Sequence, residues 1–237
     1  MSRKLAIVFG GSRGIGAACV EALLRDGHDV AWTHVSAREQ QPAAANSRAY
    51  RADVRDASQV AAVFEQASRD FGTQPSCVVV NAGINVSPGP IGQFDGDRFR
   101  ELMEVNLFGA FNVLTEAARR VTDGGTIIGV TTSMVRVAVP GGGAYTASKA
   151  AVESLLRSMS KELAGRGIRV NGVAPGPVDT DLFNSGKTDE AKQKAAAMSP
   201  FNRIGRSEEV AEVVRFLASN QASWVHGQII QPNGGMV

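Results

Sequence analysis

Leu5-Ala6-Ile7-Val8-Phe9-Gly10-Gly11-Ser12-Arg13-Gly14-Ile15-Gly16 carries a short apolar run into a glycine-rich turn and then into a segment of helical period. An apolar run of that length, bounded by glycine, reads as a buried strand. Gly10, Gly14 and Gly16 give a G-x-x-x-G-x-G spacing. Glycine at such positions permits a tight turn, lets a diphosphate approach the backbone and lets the helix pack on the strand. The amides of the new helix then favour an anion. A strand, a phosphate-sized turn and a helix N-terminus in succession predict the first unit of an α/β sheet.

Outward from this unit the same alternation repeats. Apolar, β-branched runs recur at Leu5–Phe9, Val30–Thr33, Ala49–Val54, Cys77–Val80, Thr126–Val130, Arg169–Ala174 and Gln228–Gln231. Helix-period segments lie between them at Gly14–Asp26, Ala57–Phe71, Phe99–Val121, Tyr145–Ala164 and Ser207–Ser219. Strands separated by helices imply a parallel sheet covered on both faces, and right-handed crossovers make it doubly wound. The expected fold class is α/β: a doubly wound Rossmann fold with a seven-stranded parallel sheet, formed by residues 1–237 as one domain. The polar stretch Asn184–Ser199, within 181–202, is expected to form a mobile lid.

Composition narrows the function. The 237 residues are 43% apolar and 20% charged with a net charge of +2, and no basic stripe stands out, so nucleic acid is not an expected partner. No apolar run approaches the ~20 residues of a membrane span, and a cytoplasmic protein without membrane contact is expected. Cys19 and Cys77 read as reduced core thiols. His28, His34 and His226 lack ligand spacing, so no metal is expected.

The second strand ends Thr33-His34-Val35-Ser36-Ala37-Arg38, without the acid that would accept ribose hydroxyls. Arg13, His34, Ser36 and Arg38 instead offer charge and donors to a 2′-phosphate, which predicts NADPH/NADP+ over NADH. Asp53-Val54 and Asn81-Ala82-Gly83 close the third and fourth strands, where the adenine amino group and the ribose are expected.

Tyr145 and Lys149 stand four residues apart and share one helical face. An ammonium about 4 Å from a phenolate at an effective dielectric of ~20 is worth roughly 4 kcal/mol, or about three pK units. On that estimate the phenol would titrate near pH ~7, suited to general acid–base work.

These motifs together resemble the classical short-chain dehydrogenase/reductase family along nearly the whole chain. The resemblance is carried by Gly10–Gly16, Asp53-Val54, Asn81-Ala82-Gly83, Asn106, Tyr145–Lys149 and Pro175-Gly176-Pro177-Val178-Asp179-Thr180. The ending, with Arg203-Ile204-Gly205 and Asn233-Gly234-Gly235, looks like the 3-oxoacyl-acyl carrier protein reductase branch. The resemblance implies that Tyr145 protonates a carbonyl oxygen as nicotinamide delivers hydride. Lys149 would lower the phenol pKa and bind the nicotinamide ribose beside Tyr145, and Asn106 would hold a water that relays protons. Gly10, Ser12, Arg13, Gly14, Ile15 and Gly16 would hold the phosphates. Pro175, Gly176, Val178 and Thr180 would hold the nicotinamide carboxamide.

The family's serine falls at Thr132, with Ser133 next to it; strand register favours Thr132, and a strand that has ended or bulged favours Ser133. Met134, Val135, Val137, Val139 and Phe183 are expected as apolar substrate walls, with Asn85, Ser87 and Arg136 as polar contacts. A 3-oxoacyl or other largely hydrophobic ketone fits. Carrier-protein reductases tend to be basic where this chain has Asp123; Arg166 matches a basic docking position and Arg119-Arg120 lie nearby, so an acyl carrier protein stays open as a partner. The resemblance also implies a homotetramer. Two other readings stay open: a non-catalytic NADP(H) sensor and an NAD-dependent alcohol dehydrogenase.

Overall fold

β1 (Leu5–Phe9) is buried along its whole length and divides its side chains between two cores. Leu5, Ile7 and Phe9 enter one, and Ala6 and Val8 enter the other. The computed structural model describes residues 4–36, 44–185 and 187–237. Around β1 it arranges β2 (Asp29–His34), β3 (Ser47–Arg51), β4 (Pro75–Val80), β5 (Thr126–Val130), β6 (Arg169–Val173) and β7 (Ile229–Ile230). The seven-stranded sheet has the order β3-β2-β1-β4-β5-β6-β7, and every pairing is parallel.

Helices cover both faces. α1 (Gly14–Arg25) and α9 (Ser207–Ala218) enclose one core through Val20, Leu23, Val210 and Leu217. α2 (Ala57–Phe71), α4 (Gly109–Arg120) and α6 (Gly143–Glu162) enclose the other through Phe64, Val113, Val152 and Leu156. α2 has the predicted limits because both ends carry local signals. Asp56 accepts hydrogen bonds from the Ser58 and Gln59 amides, and Gly72 leaves the helix at φ 67°.

The structure departs from the sequence reading in instructive places. The expected helix Phe99–Val121 begins earlier, as α3 (Gly96–Met103), because the Asp95 side chain accepts from the Arg98 amide. A π turn at Glu104–Phe108 then separates α3 from α4. Such a turn adds a residue without changing apolar composition, so periodicity does not reveal it. β3 stops at Arg51, which leaves Asp53 and Val54 in the following loop, and β7 has two residues rather than four. α5 (Met134–Val137), α7 (Asp181–Asn184) and α8 (Asp189–Ala197) are short; the last two fall in the stretch expected as a lid.

From β1 the sheet extends to β2 on one side and to β4 on the other. The crevice at the carboxyl ends of these strands is the topological switch point, where α/β sheets bind ligands. Among the described residues, no helix is long and apolar enough to cross a membrane, and no group of three or more His, Cys, Asp or Glu could hold a metal ion.

Candidate active site

Two adjoining cavities, of about 350 and 340 Å³, occupy the switch point and share Ile15, Asn81, Gly83, Ile84, Thr180 and Leu182. The first is built by the glycine turn. Gly10 and Gly14 have φ of 77° and 55°, values that a side chain would strain. The Asn81 amide donates to the Gly10 carbonyl at 2.8 Å, and the Gly10 amide donates to Thr33 Oγ1 at 2.9 Å. A Cβ on Gly16 would lie 1.9 Å from the Gly10 oxygen, so Gly16 works by close packing beneath the turn. It does not line the cavity, as expected of a phosphate contact, whereas Gly10, Ser12, Arg13, Gly14 and Ile15 do. α1 begins without a side-chain cap, leaving first-turn amides for an anion.

The far end of this cavity is lined by His34, Ser36, Asp53, Val54, Asn81, Ala82 and Gly83. Arg13 is exposed and makes no ion pair among the described residues. His34 Nδ1 lies 3.0 Å from the Ser36 carbonyl. Arg38, the fourth expected phosphate contact, lies outside the described residues. The groups present fit a 2′-phosphorylated dinucleotide: glycine turn and helix amides for the diphosphate, Arg13 for the added charge, and no acid at the end of β2.

Asp53 needs a correction. Its carboxylate is gripped by Arg55, with Nη2 to Oδ2 at 2.5 Å and Nε at 3.0 Å from both oxygens. These bonds hold Asp53 below the usual carboxylate range and compete with the adenine contact expected of it. Arg55, overlooked in the sequence because it reads as a solvated turn charge, lines the cavity too.

The second cavity contains Tyr145 and Lys149, one turn apart on α6. Lys149 is buried, and its Nζ donates to the Val130 carbonyl at 3.2 Å. The Tyr145 hydroxyl makes no hydrogen bond among the described residues. Burial pushes Tyr145 up to about 12 and Lys149 down to about 8. Burial thus works against the near-neutral phenol expected from the pair. Desolvation of both side chains outweighs any lowering of the phenol by an ammonium that is turned toward the end of β5.

Asn106 sits in the π turn with no exposed surface. Its Oδ1 accepts from the Ile84 amide at 2.8 Å, while Nδ2 donates to the Ile84 carbonyl at 2.9 Å and to Ser148 Oγ at 3.2 Å. Both amide hydrogens are thus committed, so the side chain positions the β4 loop and α6. A Cβ on Gly83 would lie 3.1 Å from Asn106 Oδ1 and 3.2 Å from Lys149 Nζ, which shows how closely these two groups converge there.

Of the two hydroxyls, Thr132 lines the cavity. Its Oγ1 accepts from the Met134 amide at 3.3 Å and retains its hydrogen for a ligand. Ser133 is corrected: it has no exposed surface, donates to the Ala174 carbonyl at 2.6 Å and accepts from the Asn233 amide at 3.1 Å. β5 ends at Val130, so strand alternation does not decide between them; the neighbouring strand ends claim Ser133.

Met134, Val139, Phe183 and Asn85 line the expected substrate side, with Pro175, Gly176, Val178 and Thr180 opposite. Val135, Val137 and Ser87 do not; α5 turns Val135 and Val137 away. Arg136 pairs instead with buried Glu153 at 3.2 Å, a carboxylate that also takes Arg157 Nη2 at 2.9 Å and Thr131 Oγ1 at 3.1 Å. Lys187, Met198 and Met236 line the cavity unanticipated, since separate loops and the chain's end bring them together. The basic groups considered for carrier docking are engaged: Arg119 and Arg120 with Glu116, and Arg166 with Asp123 and the Ala118 and Val121 carbonyls.

A family model described as enoyl-(acyl carrier protein) reductase matches residues 10–237. A short-chain type dehydrogenase/reductase of Picea abies is 40% identical over 99% of this chain and 92% of its own length. The chain belongs to the classical short-chain dehydrogenase/reductase family. A further short-chain relative, an Arabidopsis thaliana protein named NADPH-dependent aldehyde reductase-like, chloroplastic, is 38% identical over 100% of this chain and 95% of its own. A short-chain dehydrogenase of Burkholderia cenocepacia J2315, solved with NADP, superposes with a TM-score of 0.90 at 31% identity, covering 98% and 97% of the two chains. For a short-chain dehydrogenase/reductase, a glycine-loop cavity opening into a tyrosine–lysine cavity joins the dinucleotide end to the chemical end.

Proposed function

We propose that this protein is an NADPH-dependent reductase that converts a largely hydrophobic aldehyde or ketone to an alcohol. The observation that carries this reading is the Tyr145 phenol, unpartnered among the described residues and held in a mostly apolar cavity continuous with the glycine turn. NADPH, when bound in the first cavity, would supply the hydride for the carbonyl carbon. Gly10, Ser12, Gly14 and Ile15 would hold the diphosphate, Arg13 with His34 and Ser36 the 2′-phosphate, and Val178 with Thr180 the carboxamide side.

The substrate oxygen takes a hydrogen bond from Thr132 and the Tyr145 proton. A phenol at about 12 is fully protonated at neutral pH, and an amine at about 8 is mostly charged. Both are in the form that a reduction needs: an acid to give, and a nearby cation to stabilise the phenolate left behind. With Arg119, Arg120 and Arg166 engaged, a free carbonyl compound fits better than one delivered on an acidic carrier protein. The 181–202 segment supplies Leu182, Phe183, Lys187, Ala195 and Met198 to the cavity and serves as its lid. Half-exposed Phe108 and Phe111 on and beside α4 support assembly as a homotetramer.

The test is a panel of aldehydes, aryl ketones, β-ketoesters and acyl thioesters followed by NADPH absorbance, with Tyr145→Phe beside the parent. The variant should lose about 10²- to 10⁴-fold in turnover while still binding NADPH in a fluorescence titration. Turnover within threefold of the parent, or no reduction of any panel member by a parent that binds NADPH, would refute the proposal.

A further inference from the structure

Lys187 is the feature of the second cavity that carbonyl reduction leaves unexplained. The lining is mostly apolar and contains two cations, Lys149 and Lys187, with no acidic side chain among the described residues. Lys149 is committed to the Val130 carbonyl beside Tyr145. Lys187 lies in the lid segment between α7 and α8. It is half-buried and makes no ion pair among the described residues. Its Nζ donates to the Phe183 carbonyl at 2.6 Å and stands 4.5 Å from the centre of the Phe183 ring.

The carbonyl bond completes the last turn of α7, a role the backbone amide or water fills at most helix ends. It accounts for one N–H of three. It does not account for an ammonium set against an aromatic ring in an apolar wall. A partly desolvated charge without a counter-ion is unfavourable until an anion reaches it, and burial does lower the Lys187 pKa. The ring face holds the cation in place while leaving its other hydrogens free. Arg136, which the sequence suggested for this task, is withdrawn by Glu153, so Lys187 is the cation lining this cavity outside the Tyr145–Lys149 pair, with one N–H given to the Phe183 carbonyl and no ion pair among the described residues.

We propose that Lys187 receives a carboxylate carried by the substrate, so that the preferred substrates are carbonyl compounds bearing an anionic group away from the reacting carbon, with an apolar spacer between. A single ammonium among apolar walls matches the single charge of a carboxylate better than a dianionic phosphate, whose second charge would stay unpaired. The inference rests on the reductase reading for the chemistry, not for the contact.

A series of aldehydes with a terminal carboxylate at graded distance, each paired with its methyl ester, tests it. The parent should favour the best acid over its ester at least tenfold in kcat/KM. Lys187→Met, which keeps the stem and removes the charge, should reduce that ratio at least tenfold through KM, and Lys187→Arg should restore it. Calorimetric titration of the matching hydroxy acid into protein without nucleotide reads the contact directly: the parent binds it and Lys187→Met binds at least tenfold more weakly. A ratio unchanged in Lys187→Met, or no acid preference in the parent together with equal hydroxy-acid binding by parent and variant, overturns the proposal. If the parent reduces no carbonyl compound, the reductase reading fails on its own, and the titration still decides the role of Lys187.

Discussion

Lys149 costs this fold stability, and the cost should disappear as the pH rises. Burial lowers its pKa from 10.5 to about 8, and burial is the only cause. A depression of that size is worth about 3 kcal/mol against the folded state when the amine is charged. In the unfolded chain the amine takes up its proton as the pH falls through about 10.4, but in the folded chain only near 8. Between these values the unfolded state binds more protons, so stability rises with pH. Replacing Lys149 with methionine removes the titration but leaves the Val130 carbonyl without its donor, a penalty of about 1–3 kcal/mol that does not depend on pH. The expected result is therefore a stability gap between parent and Lys149→Met that moves by about 2 kcal/mol in the parent's favour from pH 7 to pH 10. Urea unfolding followed by far-ultraviolet circular dichroism at one protein concentration measures it, since association would otherwise shift both curves. All other titrating groups are common to the two proteins and cancel. A gap constant across this range would show that Lys149 is not desolvated, and would remove the physical basis for a charged, poised amine beside Tyr145.

Two further outcomes separate roles that neighbouring residues might share. Thr132→Ala should reduce carbonyl reduction by about 100-fold or more with little loss of stability. Ser133→Ala should instead lower stability by about 1–3 kcal/mol, because it strips a buried bond from the Ala174 carbonyl and from Asn233; the reverse pattern would assign the catalytic hydroxyl to Ser133. Arg13→Ala should reduce kcat/KM for NADPH at least tenfold and leave NADH within threefold, as steady-state assays with both nucleotides would show. A parent that prefers NADH tenfold would overturn the 2′-phosphate assignment.

Where the sequence reading succeeded, the determinants were local. Alternation of apolar runs with helix-period segments identified the central strands because a parallel strand buried on both faces is apolar throughout, whereas the edge strands β3 and β7 are partly exposed and their limits moved. α2 matched its predicted limits because its cap residues, Asp56 and Gly72, are adjacent in sequence to the ends they close. The glycine turn and the Tyr145–Lys149 pair were legible because each function requires a fixed spacing along one element. Failures came where partners are distant. Arg136 lies in a plausible wall, yet Glu153 on α6 takes it. Asp53 reads in the sequence as a strand end suited to adenine, yet it lies in the loop after β3 and Arg55 folds over it. Neither competition leaves a periodic trace.

Residue order and spacing by themselves determined the doubly wound α/β architecture, the glycine turn and the helical face that carries the phenol and the amine, since these depend on backbone period and on glycine's missing side chain. Packing alone decided which hydroxyl faces the cavity, that Lys149 is buried there, and that Lys187, not Arg136, lines it. Those outcomes depend on which distant groups reach each side chain first and how much water they displace, quantities set only when the sheet and its covering helices are assembled.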